Sequence, residues 1–223
     1  GDALPGSRGR RFHVLYQGVG ALVRSLHAPT VGRALLAELA RRACPGRDDA
    51  VYLTAALVAA GSGRAVLAPA WALPLLDRLG RRPARAGLTV VPATWAAVDP
   101  ATGRVVPAPD VLGVPARAAE ALAALDGDAV GPDRPPIGRP LPVEVVITHA
   151  RGADGPRPVS RGLALHRLSA AALNLEALGG RAVEALGGLA GEARCYEMGV
   201  PERPQLLLDA VVGLLDGRVA SGG

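Results

Sequence analysis

The sequence has 223 residues, of which 49% are hydrophobic, and a formal net charge of +5 at pH 7. A chain of this length buries one substantial core, or a main domain with a small appendage. All 25 of its lysine-plus-arginine residues are arginine, so no lysine can hold a γ-phosphate or form a Schiff base, which excludes a working P-loop kinase or ATPase. Aromatic residues, at 3%, are too few for a surface that stacks single-stranded nucleic acid.

The first half of the chain predicts a hairpin and a helix that lead into a sheet. Residues 1–11 are predicted to be a flexible lead-in. Apolar alternation on both sides of Gly18-Val-Gly predicts a hairpin over 12–26, and apolar residues at helical spacing predict a helix over 31–43 that ends in arginines, as a helix dipole favours. Further strands are predicted at 51–60, 65–68, 88–91, 95–98 and 104–106, with a helix at 71–80.

The second half predicts one clear buried strand and a series of helices. The strand is the apolar, β-branched run 143–148, and Ser160 is expected to cap a helix that Gly179 ends. The predicted order is a helix at 115–125, a loop at 126–142, the strand, and helices at 160–178, 181–189 and 204–215. This order predicts an α/β fold with a mixed sheet and flanking helices, in which 49–223 form one compact unit with the hairpin and helix of 12–48.

The cellular compartment and the cofactors are predicted from sequence features that are absent. The longest apolar run, 51–60, is too short to span a bilayer, and the first residues have no signal-type apolar stretch, so we expect a cytoplasmic protein with no membrane partner. Cys44 and Cys195 are far apart in sequence and are expected to be unlinked thiols. Histidines and acidic residues show no metal-ligand spacing, so neither a metal nor another cofactor is expected.

Several segments resemble the HPr-kinase-like proteins of actinobacterial peptide-modification gene clusters. The matching text is Leu53-Thr-Ala-Ala-Leu-Val, Gly61-Ser-Gly-Arg-Ala-Val-Leu, the stretch from Gly87 through Asp99-Pro-Ala-Thr-Gly-Arg, and the run from Pro158 to Ala182. The resemblance implies a P-loop-type mixed sheet and a place in the biosynthesis of a ribosomally made, modified peptide. It covers about 12–215, and its shared segments are structural.

The residues that carry the chemistry of that family are missing. Aligned without gaps, the phosphate loop becomes Pro69-Ala-Trp-Ala-Leu-Pro-Leu-Leu-Asp-Arg. Leu76 falls at the position of the lysine, and Asp77 and Arg78 fall at the hydroxyl positions that would bind magnesium. Thr54 replaces the family's histidine, and Ala93 with Thr94 replaces its acidic pair. Side chains in place of glycines prevent backbone N–H groups from curling around a phosphate, so phosphoryl transfer is not expected.

Candidate site residues come from both lines of reasoning. His149 follows the strand 143–148, and ligands of open α/β sheets gather at the carboxyl ends of strands, so it could be a general base or simply a strand-end histidine bonded to a loop. Trp71 and Trp95 flank the former nucleotide position and either line a pocket or pack in the core. The predicted binding residues are Trp71, Trp95, Thr54, Asp77, Arg78 and Thr94, with His149 as the catalytic residue of an enzyme.

Two functions from different classes fit these expectations. The favoured one is a degenerate kinase-like protein that uses no ATP and recognises a peptide or protein partner. The alternative is an enzyme with a repurposed cleft that uses His149 for an ATP-independent cyclisation, isomerisation or elimination. A third, less specific reading is a structural subunit of a homo-oligomer. No nucleic-acid partner is expected, because the positive charge is spread along the chain with acidic residues between its clusters.

Overall fold

The computed structural model describes residues 12–18, 20–26, 28–91, 95–107, 140–152 and 155–218. These residues form a mixed α/β fold with one large mixed sheet and flanking helices. The strands are β1 (His13–Gln17), β2 (Gly20–Ser25), β3 (Val51–Ala60), β4 (Ala65–Pro69), β5 (Leu88–Val90), β6 (Trp95–Val98), β7 (Val105–Pro107), β8 (Val143–His149), β9 (Arg157–Pro158) and β10 (Arg194–Met198). The helices are α1 (Ala28–Ala43), α2 (Ala72–Asp77), α3 (Arg82–Arg85), α4 (Arg161–Ala171), α5 (Leu175–Leu178), α6 (Gly180–Glu192) and α7 (Pro204–Leu215).

The large sheet combines a parallel centre with antiparallel flanks. Its order is β7-β6-β3-β4-β8-β10-β9, and β5 pairs with β3 beside this path. β8 runs parallel to both β4 and β10, whereas the other pairings are antiparallel. The carboxyl ends of β4, β8 and β10 therefore meet at one edge, which we call the carboxyl edge. The predicted strand at 143–148 is confirmed, lies between β4 and β10, and extends one residue further to include His149.

Helices cover both faces of the sheet, which explains why its central strands are apolar on both sides. Alternate residues of β3, among them Leu53 and Leu57, pack in one core with residues of α4 and α6 such as Leu168 and Leu186. The intervening residues, among them Val58, pack in a second core with α2 and α7. β3 consequently has a continuous apolar run instead of a hydrophobic-polar alternation.

The N-terminal hairpin is confirmed, and α1 packs against it. Gly18 makes the turn with a φ of +58°, a conformation that suits glycine. α1 begins three residues before the predicted start at 31. At the other end of α1, Cys44 packs against Tyr52 and Ala97 of the large sheet.

One predicted helix is two helices in the structure. The chain leaves helical geometry at Ala172, whose ψ is 140°, and α5 starts only at Leu175. Ala172 makes a β-bridge with Leu53, and the Leu173 amide donates to the Tyr52 carbonyl oxygen at 2.8 Å. The prediction over 160–178 was wrong at this point because tertiary hydrogen bonds replace those of the helix.

Other boundaries also differ from the predictions. The helix predicted over 181–189 extends from Gly180 to Glu192 as α6, so Gly187 and Gly188 lie inside it, whereas Gly179 does end α5 with a φ of +55°. The helix predicted over 71–80 ends at Asp77, and α3 and β10 were not predicted. The predicted lead-in and the helix at 115–125 lie outside the described residues. Among those described, no helix is long and apolar enough to cross a membrane.

Candidate functional site

A row of side chains crosses the sheet at its carboxyl edge. Thr54 of β3 pairs in register with Trp95 of β6, and His149 of β8 pairs with Met198 of β10. β4 runs between these two pairs and ends at Pro69, two residues before Trp71. We call Thr54, Trp95, Trp71 and His149 the row; they lie on or next to the neighbouring strands β6, β3, β4 and β8.

Thr54 and His149, two members of the row, lie on the same face of the sheet. Side chains two residues apart along a strand share a face. Ala56 and Ile147 pack in the core beneath α2 and α7, so Thr54 and His149, two residues away from them, are on that same face. Thr54 and His149 are exposed, and Trp95 is half-buried. The predicted residues Thr54, Trp71 and His149 are therefore brought to one face of the sheet at this edge, whereas Trp95 packs against the core on the other face and against the cluster of Cys44, Tyr52 and Ala97.

Trp71 and His149 form the centre of the row. Their ring centroids are 6.2 Å apart and their planes are 73° apart, an edge-to-face geometry that aromatic rings favour. Trp71 is half-buried at the start of α2 and packs on the core below. Its Nε1 is buried and has no hydrogen-bond partner among the described residues. A buried N–H group without an acceptor is costly, and an incoming acceptor would gain a hydrogen bond here once the indole or the groups that cover it move.

A polar network braces the same strand ends from the opposite face. The Thr148 hydroxyl donates to the Tyr196 carbonyl oxygen at 3.1 Å and accepts from Arg167 Nη1 at 3.1 Å. Arg167 Nη1 also forms an ion pair with Glu197 Oε2 at 2.7 Å. Thr148 is 5% exposed, so these contacts fix α4 to β8 and β10 directly behind His149. We call Thr148, Arg167 and Glu197 the bracing network.

No local pattern in the sequence predicts the contacts of the bracing network. Arg167 and Glu197 are 30 positions apart by number, and their pairing depends on β10, whose strand pattern is only five residues long. The ordinary helical position of Arg167 predicts a solvated side chain. The one usable signal is an arginine of α4 that faces the threonine at the end of β8. It can be recognised only when the order of the strands in the sheet is known.

Not every predicted site residue reaches the row. Asp77 and Arg78 are exposed at the far end of α2, about 9 Å along the helix from Trp71 at 1.5 Å per residue. Leu76, at the position of the family's lysine, is 1% exposed and packs in the core. Thr94 lies outside the described residues. Asp77 and Arg78 are thus separated from Trp71 and His149 by the length of α2.

The thiols and the remaining described histidines do not add to the row. Cys44 and Cys195 are free and buried. Burial raises the pKa of the Cys44 thiol to about 11 and also raises that of Cys195, so both are protonated and unreactive at neutral pH. His13 and His166 are exposed on β1 and α4. Within the described ranges, no three His, Cys, Asp or Glu side chains are grouped so as to hold a metal ion.

No protein-family model, curated protein or solved structure matches the chain. The resemblance to HPr-kinase-like proteins therefore stays a prediction carried by the sequence segments. The row itself offers an apolar indole face, a buried indole N–H without an acceptor, an exposed imidazole and a hydroxyl. These groups suit the binding of a mixed polar and apolar ligand that brings a carbonyl or carboxylate oxygen.

Proposed function

We propose that this protein is a kinase-like binding protein that uses no ATP and recognises a peptide or protein partner. The observation that carries this proposal is the buried Trp71 Nε1, which has no acceptor in the described structure and lies beside the exposed His149. A peptide carbonyl or carboxylate supplies that acceptor, and its side chain packs against the indole and imidazole rings. The place in biosynthesis of a ribosomally made, modified peptide follows from the sequence resemblance.

Three features support the ATP-independent part of the proposal. The chain contains no lysine. Residues 72–77, which align with the phosphate loop, form α2, and Pro74 within them has no amide hydrogen to donate. Leu76 is buried in the α2/α7 core, where a lysine ammonium would have to be desolvated.

The alternative function, an ATP-independent enzyme, rests on the exposure of His149 at the carboxyl edge. The bracing network holds the end of β8 in place, and an exposed imidazole at that end can act as a general acid or base. In this alternative His149 is the general base, and the substrate is a peptide or small molecule that occupies the same row.

Peptide binding tests the proposed function, and conversion of the bound peptide distinguishes it from the alternative. The probes are the synthetic precursor peptides encoded by genes that neighbour this one, with calorimetry and tryptophan fluorescence as readouts. Trp71→Phe keeps a smaller aromatic ring and removes the indole N–H, so we expect affinity to fall at least about fivefold, the usual worth of one hydrogen bond, with the lost ring contacts in addition. His149→Ala is expected to weaken binding while unfolding free energy stays within about 1 kcal/mol, since the residue is exposed.

The controls fix what each result means. His166→Ala removes an equally exposed imidazole from α4 and is expected to leave affinity unchanged. Mg-ATP is expected to give no binding heat, and a micromolar affinity for it would contradict the proposal. A peptide that binds tightly yet changes neither tryptophan's fluorescence would place the site elsewhere. Conversion of a bound peptide to a product of different mass or chromatographic retention by wild type but not by His149→Ala would favour the enzyme.

A further inference from the structure

A groove on the outer surface lies between α3 and α7, away from the row at the carboxyl edge. Its volume is about 550 Å³, and residues of α3, of α7 and of the segment after α7 line it. Neither Trp71 nor His149 contributes to it. The floor is apolar because it contains Leu208, which is 4% exposed, and Val212.

The walls of this groove carry an excess of positive charge. Arg82, Arg85 and Arg218 line it, against the single carboxylate of Asp209. The backbone amide of Arg85 donates to the Arg81 carbonyl oxygen, but its guanidinium has no hydrogen bond or ion pair with any described residue. Arg82 Nη1 donates to the neutral Gln205 Oε1 at 3.1 Å, so its charge is not neutralised by that contact.

A short relay holds one wall in place. Gln205 Nε2 donates to Asp209 Oδ1 at 2.8 Å, and its Oε1 accepts from Arg82. The acidic residue is thus engaged with a glutamine, while the guanidinium of Arg82 is positioned at the groove. Arg218 pairs with Asp216 at 3.3 Å and is largely exposed.

We propose that the α3/α7 groove docks an acidic peptide segment that also carries an apolar side chain. Charge complementarity to Arg82 and Arg85 requires the acidic residues, and the floor at Leu208 and Val212 accommodates the apolar one. From Gln205 to Gly213 the floor of α7 is about 12 Å long at 1.5 Å per residue. That length fits about four residues of extended chain. No aromatic side chain lines the groove, which disfavours a single-stranded nucleic acid.

The test uses a fluorescein-labelled hexapeptide, Asp-Leu-Glu-Asp-Leu-Glu, and its neutral counterpart Asn-Leu-Gln-Asn-Leu-Gln. Fluorescence anisotropy at low salt is expected to show binding of the acidic peptide alone. Arg82→Gln with Arg85→Gln is expected to weaken that binding about fivefold, the effect of two exposed ion pairs. Raising the salt concentration is expected to lower the affinity for the acidic peptide more in the wild type than in the variant.

The matched control removes two exposed arginines elsewhere, Arg157→Gln with Arg181→Gln, and keeps net charge equal to that of the groove variant. This control is expected to bind the acidic peptide like the wild type. Equal loss in both double variants would show general charge attraction and overturn the proposal, as would equal affinity for the neutral peptide. Stronger competition by a single-stranded oligonucleotide of the same charge would assign the groove to nucleic acid and also overturn it. Thermal melting of each variant excludes unfolding as the cause.

Discussion

At the residue scale, Asn174 joins the segment between α4 and α5 to the start of β3. It is 2% exposed, and its Oδ1 accepts from the Tyr52 amide at 2.9 Å. Its Nδ2 donates to the carbonyl oxygens of Arg47 at 2.8 Å and Ala50 at 2.7 Å. One side chain thus satisfies three backbone groups of the segment that leads into β3.

Asn174→Ala is expected to lower the free energy of unfolding by about 3 kcal/mol, because it leaves buried backbone groups without partners. Urea denaturation measures this change. Glu176→Ala, two residues away and exposed, is the control and is expected to change stability by no more than about 0.5 kcal/mol. Equal effects of the two substitutions would show that the hydrogen bonds of Asn174 contribute nothing specific.

The local sequence could not have predicted this role. Leu173 and Leu175 continue an apolar helical spacing on either side of Asn174, so the pattern predicts one long helix. The hydrogen bonds that interrupt it come from residues more than a hundred positions earlier in the chain. His149, by contrast, was predicted at the carboxyl edge because the run before it is plainly a buried strand. Its contact with Trp71 required knowledge that β4 and β8 are neighbours.

At the element scale, the start of α4 depends on a cap that the sequence did predict. Ser160 has extended backbone geometry, with φ −64° and ψ 151°, and its Oγ accepts from the Leu163 amide at 3.3 Å. This interaction satisfies one of the amides that a helix start leaves free. Because α4 carries Arg167 of the bracing network, its first turn also helps to set the end of β8.

Ser160→Ala is expected to cost about 1 kcal/mol of stability, the usual effect of losing a serine cap. Thermal or urea unfolding measures the loss. Ser169→Ala changes the same residue type within the helix and is expected to be close to neutral, because alanine is the better helix former. If Ser169→Ala destabilised the protein as much as Ser160→Ala, capping would not explain the effect.

β10 is a strand that the sequence pattern did not predict. Its five residues include two charged ones, Arg194 and Glu197, which do not fit a buried strand. Each charge has a partner on a neighbouring element: Arg194 pairs with Glu144 of β8, and Glu197 pairs with Arg167 of α4. The strand is therefore compatible with burial only because of its tertiary partners, and those partners are invisible to a local pattern.

At the scale of the whole molecule, the free energy of unfolding is expected to depend on pH through the carboxyl group of Asp49. Hydrogen bonds from Arg47, and secondarily from the Tyr52 hydroxyl, lower the pKa of Asp49 from 3.8 to about 2. A carboxyl group whose pKa is lower in the folded state stabilises that state above its unfolded pKa. This contribution is therefore fully present above about pH 4 and is lost as the pH falls toward 2.

The test compares the wild type with Asp49→Asn from pH 6 to pH 2.5. The difference in unfolding free energy between them is expected to be constant above pH 5 and to shrink below pH 4. Asp48→Asn, a neighbouring exposed carboxylate without a hydrogen bond in the described structure, is the control. A wild-type-to-Asp49→Asn difference that does not vary with pH would contradict the assignment.

The layers of the molecule were predictable, whereas the order of its strands was not. Apolar runs and helical spacing indicate which segments are strands and helices, and their succession indicates a mixed α/β fold. The row of Thr54, Trp95 and His149 arises because β6, β3, β4 and β8 are neighbours in space. Pairing β6 with β3, and β4 with β8, is decided by the packing of helices on both faces, which local sequence does not encode.

The two borders of the large sheet limit how a partner can join it. β9 has two residues, one of them Pro158, which has no amide hydrogen. At the other border, Val105 of β7 already exchanges both of its backbone hydrogen bonds with Leu141. Among the described residues, β9 and β7 thus offer a foreign strand few free backbone groups, and such short, proline-bearing margins discourage edge-to-edge pairing of sheets between molecules. A partner that met the sheet at these two margins would have to be recognised by side chains, so single substitutions there would change its affinity without altering the backbone.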